Sequence, residues 1–463
     1  MTPPDRIRAK FAMALSEMYR LEAPRYRALA ALVEAVNGEV LRARPDLRKQ
    51  LEDSGELDRL AVECHGAVRV GAAAELSTLR RMFAVMGMAP VGYYDLSVAG
   101  LPVHSTAFRP LTDDALRRHP FRVFTSLLRV DLIEDKALRA EVESILARRN
   151  IVTPACARLL DLFEEQGAFT DEQSAEFVSE AVETFRFRPQ TTVSMAVYRK
   201  LCAAHPLIAD IACFRGPHIN HLTLATIDID AVQRAMSAQG LDPKDSVEGP
   251  PARCNPILLR QTSFKAQPEP IRFDEPGEAA YGTHAARFGE VEQRGAALTE
   301  KGRALYDRLL AKALAAPKEL PLEDVFRDFP DDVDAMRRER LAFFRYCPTE
   351  KGLRAAGQLA ALGSVEKLLR AQALWAEPIV YEDFLPVSAA GIFRSNLDNL
   401  ADAKTLAPAS RTVFEEALGA AVIDPSSLYE AAEAASLAAS LDALRLSPGI
   451  FGHLASSSRS CSE

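Results

Sequence analysis

Residues 219–229 read INHLTLATIDI, and the faces of this stretch decide how the chain is built. Leu222 and Leu224 alternate with His221, Thr223 and Ala225. Strict alternation with β-branched residues predicts a strand, because successive side chains leave opposite faces. The Leu face seeks a core, and the His221 face borders a polar cavity or solvent. His218 and His221 form an HxxH pair. On a helix both could reach one metal; on a strand they diverge, so at most one enters a site. A structural role stays open for either.

Similar strands surround this one. CHGAVRVG at 64–71 reads as a short strand, followed by a helix over 73–86 that Gly87 stops. APVGYYDLSVAGLPVHSTAFRPL at 89–111 has the pattern of a hairpin around Gly100, and FRVFTSLLRVDLI at 121–133 is a further strand. Strands are also predicted over 256–265, 271–274 and 283–294. Helices flank them. Residues 5–36 have helical periodicity broken at Pro24 and closed by Asn37-Gly38, and a polar helical stretch continues to about Leu60. Residues 135–205 read as helical, with Thr170 and Gln173 forming a capping box. Asp230 with Gln233 is predicted to cap a helix ending before Gly240. Helices dominate 299–375, and two of them open on the same Thr-Glu-Lys-Gly, at Thr299 and Thr349. PIVYEDFLPVSAAGIF at 378–393 is a last extended segment.

The totals narrow the function. The chain has 463 residues, 48% hydrophobic and 26% charged, which suits a folded domain of ordinary composition. A net charge of −8 argues against a nucleic-acid partner, which calls for a basic patch. The seven cysteines are scattered and form no CxxC pair, so neither a disulfide framework nor a structural zinc site is expected. The N-terminus lacks the layout of a signal peptide, and no run of roughly 18 apolar residues exists. The expectation is a cytoplasmic protein with no membrane partner and no obligate protein partner.

Four of the eight histidines, His65, His104, His221 and His284, lie in or beside strand-like segments. Two His and one carboxylate on one face is the ligand set that leaves an octahedral Fe(II) open to substrate and oxygen. His65 and Arg69 share a strand face, so a metal ligand and a guanidinium would point into one cavity. That pairing suits an acid substrate, the metal chelating one end and Arg clamping a carboxylate; a core His beside a surface Arg fits the same spacing. Glu290 and Glu292 share a face with Phe288. Burying that pair calls for a cation, whereas a solvated face with Arg287 and Arg294 as partners is the alternative. His104 and Ser105 are adjacent and no GxSxG elbow is present, so a Ser-His hydrolase has little support. GxGxxG and GxxxxGK[ST] are absent.

Several stretches together resemble one family. They are HGAVR at 65–69, RRMFAVMGMAPVGYYDLSVAGLPVHSTAFRP at 80–110, NHLT and DID within 220–230, LRQTSFKA at 259–266, RFGEVEQRGAALTEKGRALYD at 287–307 and YEDFLPVSAAGIF at 381–393. The family is that of the 2-oxoadipate dioxygenase/decarboxylases, and the resemblance runs from about residue 5 to about 455. It implies an α+β fold in which a vicinal oxygen chelate-like β-sheet or barrel curls around a metal, with large helical insertions. It also implies Fe(2+) held by His65, His221 and Glu290, with Arg69 on the distal carboxylate and Val387 and Ser388 shaping that end of the pocket. The implied reaction takes a 2-oxo dicarboxylic acid and O2, converting 2-oxoadipate to 2-hydroxyglutarate and CO2 in lysine breakdown. Two places depart from the family pattern. LATIDID follows NHLT where a Pro-Arg pair is expected, and Arg394 follows GIF where a Gln is expected.

The expected organisation is an N-terminal helical segment over 1–60 and a metal-binding β core over 61–300 with its helical insertion at about 135–205. A helical segment over 301–375 follows, then a strand completing the pocket with C-terminal helices over 376–455, and a disordered tail over 456–463. Two other classes remain open at this stage: a Zn or Mn lyase or isomerase acting on a small oxo acid, and a metal-free binding protein.

Overall fold

The computed structural model describes residues 1–275, 280–315, 321–385 and 407–447. It divides into two compact units, one formed by 1–249, 260–293 and 383–423, the other by 250–259, 294–382 and 424–463.

The first unit is built on β1 (Glu63–Val70), β2 (Ala89–Asp95), β3 (Val103–Arg109), β4 (Arg122–Leu128), β5 (Ile219–Ala225), β6 (Leu259–Ser263), β7 (Glu269–Arg272), β8 (Tyr281–His284) and β9 (Phe288–Arg294). Seven of these make one curled sheet in the order β2-β3-β4-β1-β5-β9-β6, while β7 and β8 pair separately. The α+β architecture expected from the sequence is the one observed. A similar path is followed twice: β1 leads through a helix over Ala73–Val85 and then β2 and β3 to β4, which lies parallel beside it, and β5 leads through Ile229–Ala238 and then β6, β7 and β8 to β9, also parallel. The halves join where β1 and β5 pair antiparallel.

That junction depends on Gly66. A Cβ there would lie 2.7 Å from Ile219 Cδ1 and 3.1 Å from Leu222 Cδ2, so the missing side chain lets the apolar face of β5 lie over β1. Alternation then sorts the residues. Val68, Leu222, Leu224 and Val291 enter a core with Phe11, Leu15 and Leu29 of the N-terminal helices, Pro4–Glu22 and Pro24–Ala43. Burying each such side chain contributes roughly 1.5–3 kcal/mol. The opposite face carries His65, Ala67, His221 and Glu290.

Some elements depart from expectation for local reasons. The second helix runs through Asn37-Gly38 to Ala43. Asn37 does not stop it; its side chain donates to Ala225 O at 3.0 Å and accepts from Thr226 Oγ1 and Ile227 N, bracketing the chain where it leaves β5. The helix after β5 is capped by Asp228, which accepts from Ala231 N at 2.8 Å, and not by Asp230, which pairs with Arg260.

In the second unit, β10 (Phe344–Pro348), inside the stretch read as helical, pairs antiparallel with β11 (Leu374–Pro378) at its end. Both Thr-Glu-Lys-Gly segments begin helices. Thr299 Oγ1 accepts from Gly302 N at 3.1 Å and Thr349 Oγ1 from Gly352 N at 3.0 Å. The two glycines are pressed against backbone: a Cβ would lie 1.8 Å from Leu341 O at Gly302 and 2.1 Å from Ala373 O at Gly352.

Candidate metal centre

His65, His221 and Glu290 stand on β1, β5 and β9, three adjacent strands, and pair register explains their meeting. Thr223 is opposite both His65 and Glu290, and Ala67 is opposite His221. All three are buried, and their ligand atoms lie within 4.8 Å of one another. Glu290 Oε1 is 3.2 Å from His65 Nε2 and 3.8 Å from His221 Nε2. An octahedral ion with bonds of about 2.1 Å spaces neighbouring ligand atoms by about 3 Å. Two nitrogens and one carboxylate oxygen at these separations therefore fit a metal.

Surrounding groups fix the three. Thr223 Oγ1 lies 3.0 Å from His65 Nε2 and donates to Glu290 Oε1 at 3.0 Å; Gln261 Nε2 donates to the same oxygen at 2.7 Å. Glu292 Oε2 lies 3.1 Å from His65 Nδ1. Phe288 stacks on His221 with centroids 4.6 Å apart, and Phe384 meets His65 edge-on at 4.7 Å. Asp383 anchors that phenylalanine by accepting from Arg109 Nε at 2.8 Å and Nη2 at 3.2 Å, both residues being buried.

The electrostatics separate the two rings. Burial lowers the pKa of His221 to about 3, helped by His65, Arg69 and Lys244 against Glu290, so its ring is neutral and can offer a lone pair. Burial also opposes charging His65, but Glu292 and Glu290 outweigh it and hold its pKa above the ordinary value. Glu290 stays below the usual carboxylate range because His221 and His65 overcome its burial. Two carboxylates buried around these imidazoles are stabilised by a cation.

Arg69 projects from the His65 face of β1, as its spacing predicts, and Nη1 donates to Asp210 Oδ2 at 2.8 Å. Asp210 lies on the short helix Pro206–Ala212 and gathers a second buried cluster with His218 and His284. His284 Nε2 is 2.9 Å and His218 Nε2 3.3 Å from Asp210 Oδ1. This cluster has the donor types of a metal site, but the guanidinium already shares its carboxylate, and a dication there would face that charge at close range. We read it as an ion-pair network. His218 thus sits outside the triad, as strand geometry predicted for one member of HxxH.

Val387, Ser388 and Arg394 lie outside the described residues. Ser105 donates to Ser126 at 2.8 Å, while His104 lies beside Tyr93 and Phe414, so the adjacent Ser-His pair makes no nucleophile. Sequence reasoning missed Asp210, Gln261 and the Arg109–Asp383 pair. No spacing signal links a helix carboxylate to a strand guanidinium far away in the chain. Only the ED at 382–383, inside a segment otherwise apolar, hinted at a buried partner.

Known proteins are similar to this chain over nearly its whole length. The family profile described as 2-oxoadipate dioxygenase/decarboxylase matches residues 11–396. The 2-oxoadipate dioxygenase/decarboxylase of Escherichia coli (strain K12) is 52% identical over 433 residues, covering 93% of this chain and 96% of the relative. That of Pseudomonas putida KT2440 is 50% identical over 455 residues, covering 96% and 98%. The crystal structure of the Pseudomonas putida hydroxyglutarate synthase in complex with 2-oxoadipate superposes with a TM-score of 0.88 at 49% identity, over 96% of this chain and 99% of that one. The chain belongs to the 2-oxoadipate dioxygenase/decarboxylase family.

Proposed function

We propose that this chain converts 2-oxoadipate and O2 to 2-hydroxyglutarate and CO2, using Fe(II) held by His65, His221 and Glu290. The observation that carries the reading is the meeting of two imidazoles and one carboxylate from adjacent strands, beside an arginine on the same face. Relatives of about 50% identity named for this reaction support it. No helix among the described residues is long and apolar enough to cross a membrane. We place the enzyme in the cytoplasm, in lysine breakdown, with no obligate protein partner.

Held by His65, His221 and Glu290, a ferrous ion would supply Lewis acidity toward the oxo acid and redox chemistry with oxygen. The chain does the rest. Glu292 Oε2 stands 3.1 Å from Nδ1 of His65, leaving Nε2 to face inward. Thr223 and Gln261 fix one oxygen of Glu290. Phe288 and Phe384 flank the imidazoles with apolar surface that keeps water off the reacting carbons. Arg69 takes the distal carboxylate. The substrate brings its own 2-oxo acid group, so no second oxo acid is needed.

Protein loaded anaerobically with Fe(II) and assayed on an oxygen electrode across 2-oxo acids of graded length tests the reading. Oxygen uptake matched by CO2 release and greatest with 2-oxoadipate is expected. Turnover without oxygen would move the chain to lyase or isomerase chemistry.

A further inference from the structure

We infer that Asp210 is a positioning residue: it holds Arg69 so that one edge of the guanidinium faces the pocket, and thereby sets the preference for a dicarboxylic over a monocarboxylic 2-oxo acid. This rests on the reading of Arg69 as the holder of the distal carboxylate. A guanidinium has five N–H donors in a planar fork. Among the described residues, Arg69's one hydrogen bond is Nη1 to Asp210 Oδ2, so the Nε–Nη2 edge is left for a bidentate carboxylate.

Asp210 is itself held from several sides. Oδ2 lies 3.4 Å from Asn220 Nδ2, and Oδ1 receives His284 Nε2 and faces His218 Nε2. Tyr198 Oη stands 2.9 Å from His284 Nδ1, continuing the chain of contacts outward. The carboxylate is buried and kept well below its ordinary pKa: burial opposes ionisation, but His218, His284 and Arg69 outweigh it. A long arginine side chain loses much of its rotamer freedom when fixed. Here that ordering is complete before substrate arrives, which is how preorganisation improves affinity.

The test is anaerobic calorimetry on the Fe(II)-loaded protein with two probes, 2-oxoadipate and 2-oxohexanoate, which differ in the distal carboxylate. Asp210→Asn is expected to lower the diacid-over-monoacid affinity ratio about tenfold or more, as for a broken buried charge contact. The change falls on the diacid alone, with KM rising and kcat held within about threefold. In an Arg69→Ala background the same substitution is expected to add nothing, since it acts through Arg69. His284→Gln, which removes one clamp on Oδ1, gives a smaller loss in the same ratio and serves where Asp210→Asn does not fold. An unchanged or improved ratio in folded, metal-loaded Asp210→Asn or His284→Gln, with Arg69→Ala still abolishing the preference, overturns the inference alone. An unchanged ratio in Arg69→Ala overturns the reading beneath it.

Discussion

Glu292 Oε2 lies 3.1 Å from Nδ1 of His65, on the side of the ring away from the nitrogen that faces Glu290. Two carboxylates on one strand face thereby meet opposite edges of one imidazole. In metal sites a carboxylate at the outer nitrogen fixes the tautomer and raises ligand basicity. Glu292→Gln is expected to keep the fold and weaken metal binding about 10-fold, whereas Glu290→Gln removes a ligand and weakens it far more. Anaerobic Fe(II) titration of both variants checks this. Equal losses would contradict the division of roles.

The Arg109–Asp383 pair is buried and bidentate. Removing one member strands a charge in the interior, at a cost of about 3–5 kcal/mol. Asp383→Ala is expected to show that loss in urea unfolding, and the double change Arg109→Met with Asp383→Leu a smaller one. Because Phe384 is next in the chain and touches His65, the single variant should also lose activity.

Acid stability follows from two histidines outside the candidate centre. Burial lowers both His104 and His119 to about 4, aided by Arg129 and Arg8 respectively. The unfolded chain takes up these protons near pH 6.5, while the fold resists until about pH 4. Their contribution is therefore complete above pH 6.5 and is lost as pH falls toward 4, by roughly 3 kcal/mol per residue. His119→Gln is expected to flatten the fall in unfolding free energy across that window. An unchanged slope would show that the ring is already protonated in the fold.

Gly302→Ala and Gly352→Ala each force a Cβ into a carbonyl oxygen. Each is expected to destabilise the second unit by at least about 3 kcal/mol. Thr349→Ala, which removes a cap, is expected to cost about 1 kcal/mol. Calorimetric unfolding of the three variants would order them so.

Much of the centre was legible because strand alternation is a local rule. Reading strands within 64–71, 219–229 and 283–294 puts His65 with Arg69, His221 with Thr223, and Glu290 with Glu292. Alternation does not say which strands are neighbours, so the convergence of His65, His221 and Glu290 came from the family resemblance and not from spacing. The Asp210 network was hidden for the same reason. It joins a helix, β1, the residue before β5 and the end of β8, and each of its members also suits an ordinary interior. β10 was overlooked because FRYCP is short and lies among helical patterns. Asn37-Gly38 looked like a helix stop because a side chain's distant partners cannot be read from its neighbours.

The central claim is that His65, His221 and Glu290 share one ion. Anaerobic Fe(II) titration of the wild type, His221→Ala and His284→Gln tests it most directly, since the last two variants each remove a histidine from a different buried cluster. The expected result is one equivalent bound by the wild type and by His284→Gln, and none by folded His221→Ala. Full binding by His221→Ala, or its loss in His284→Gln alone, would place the metal elsewhere and contradict the account.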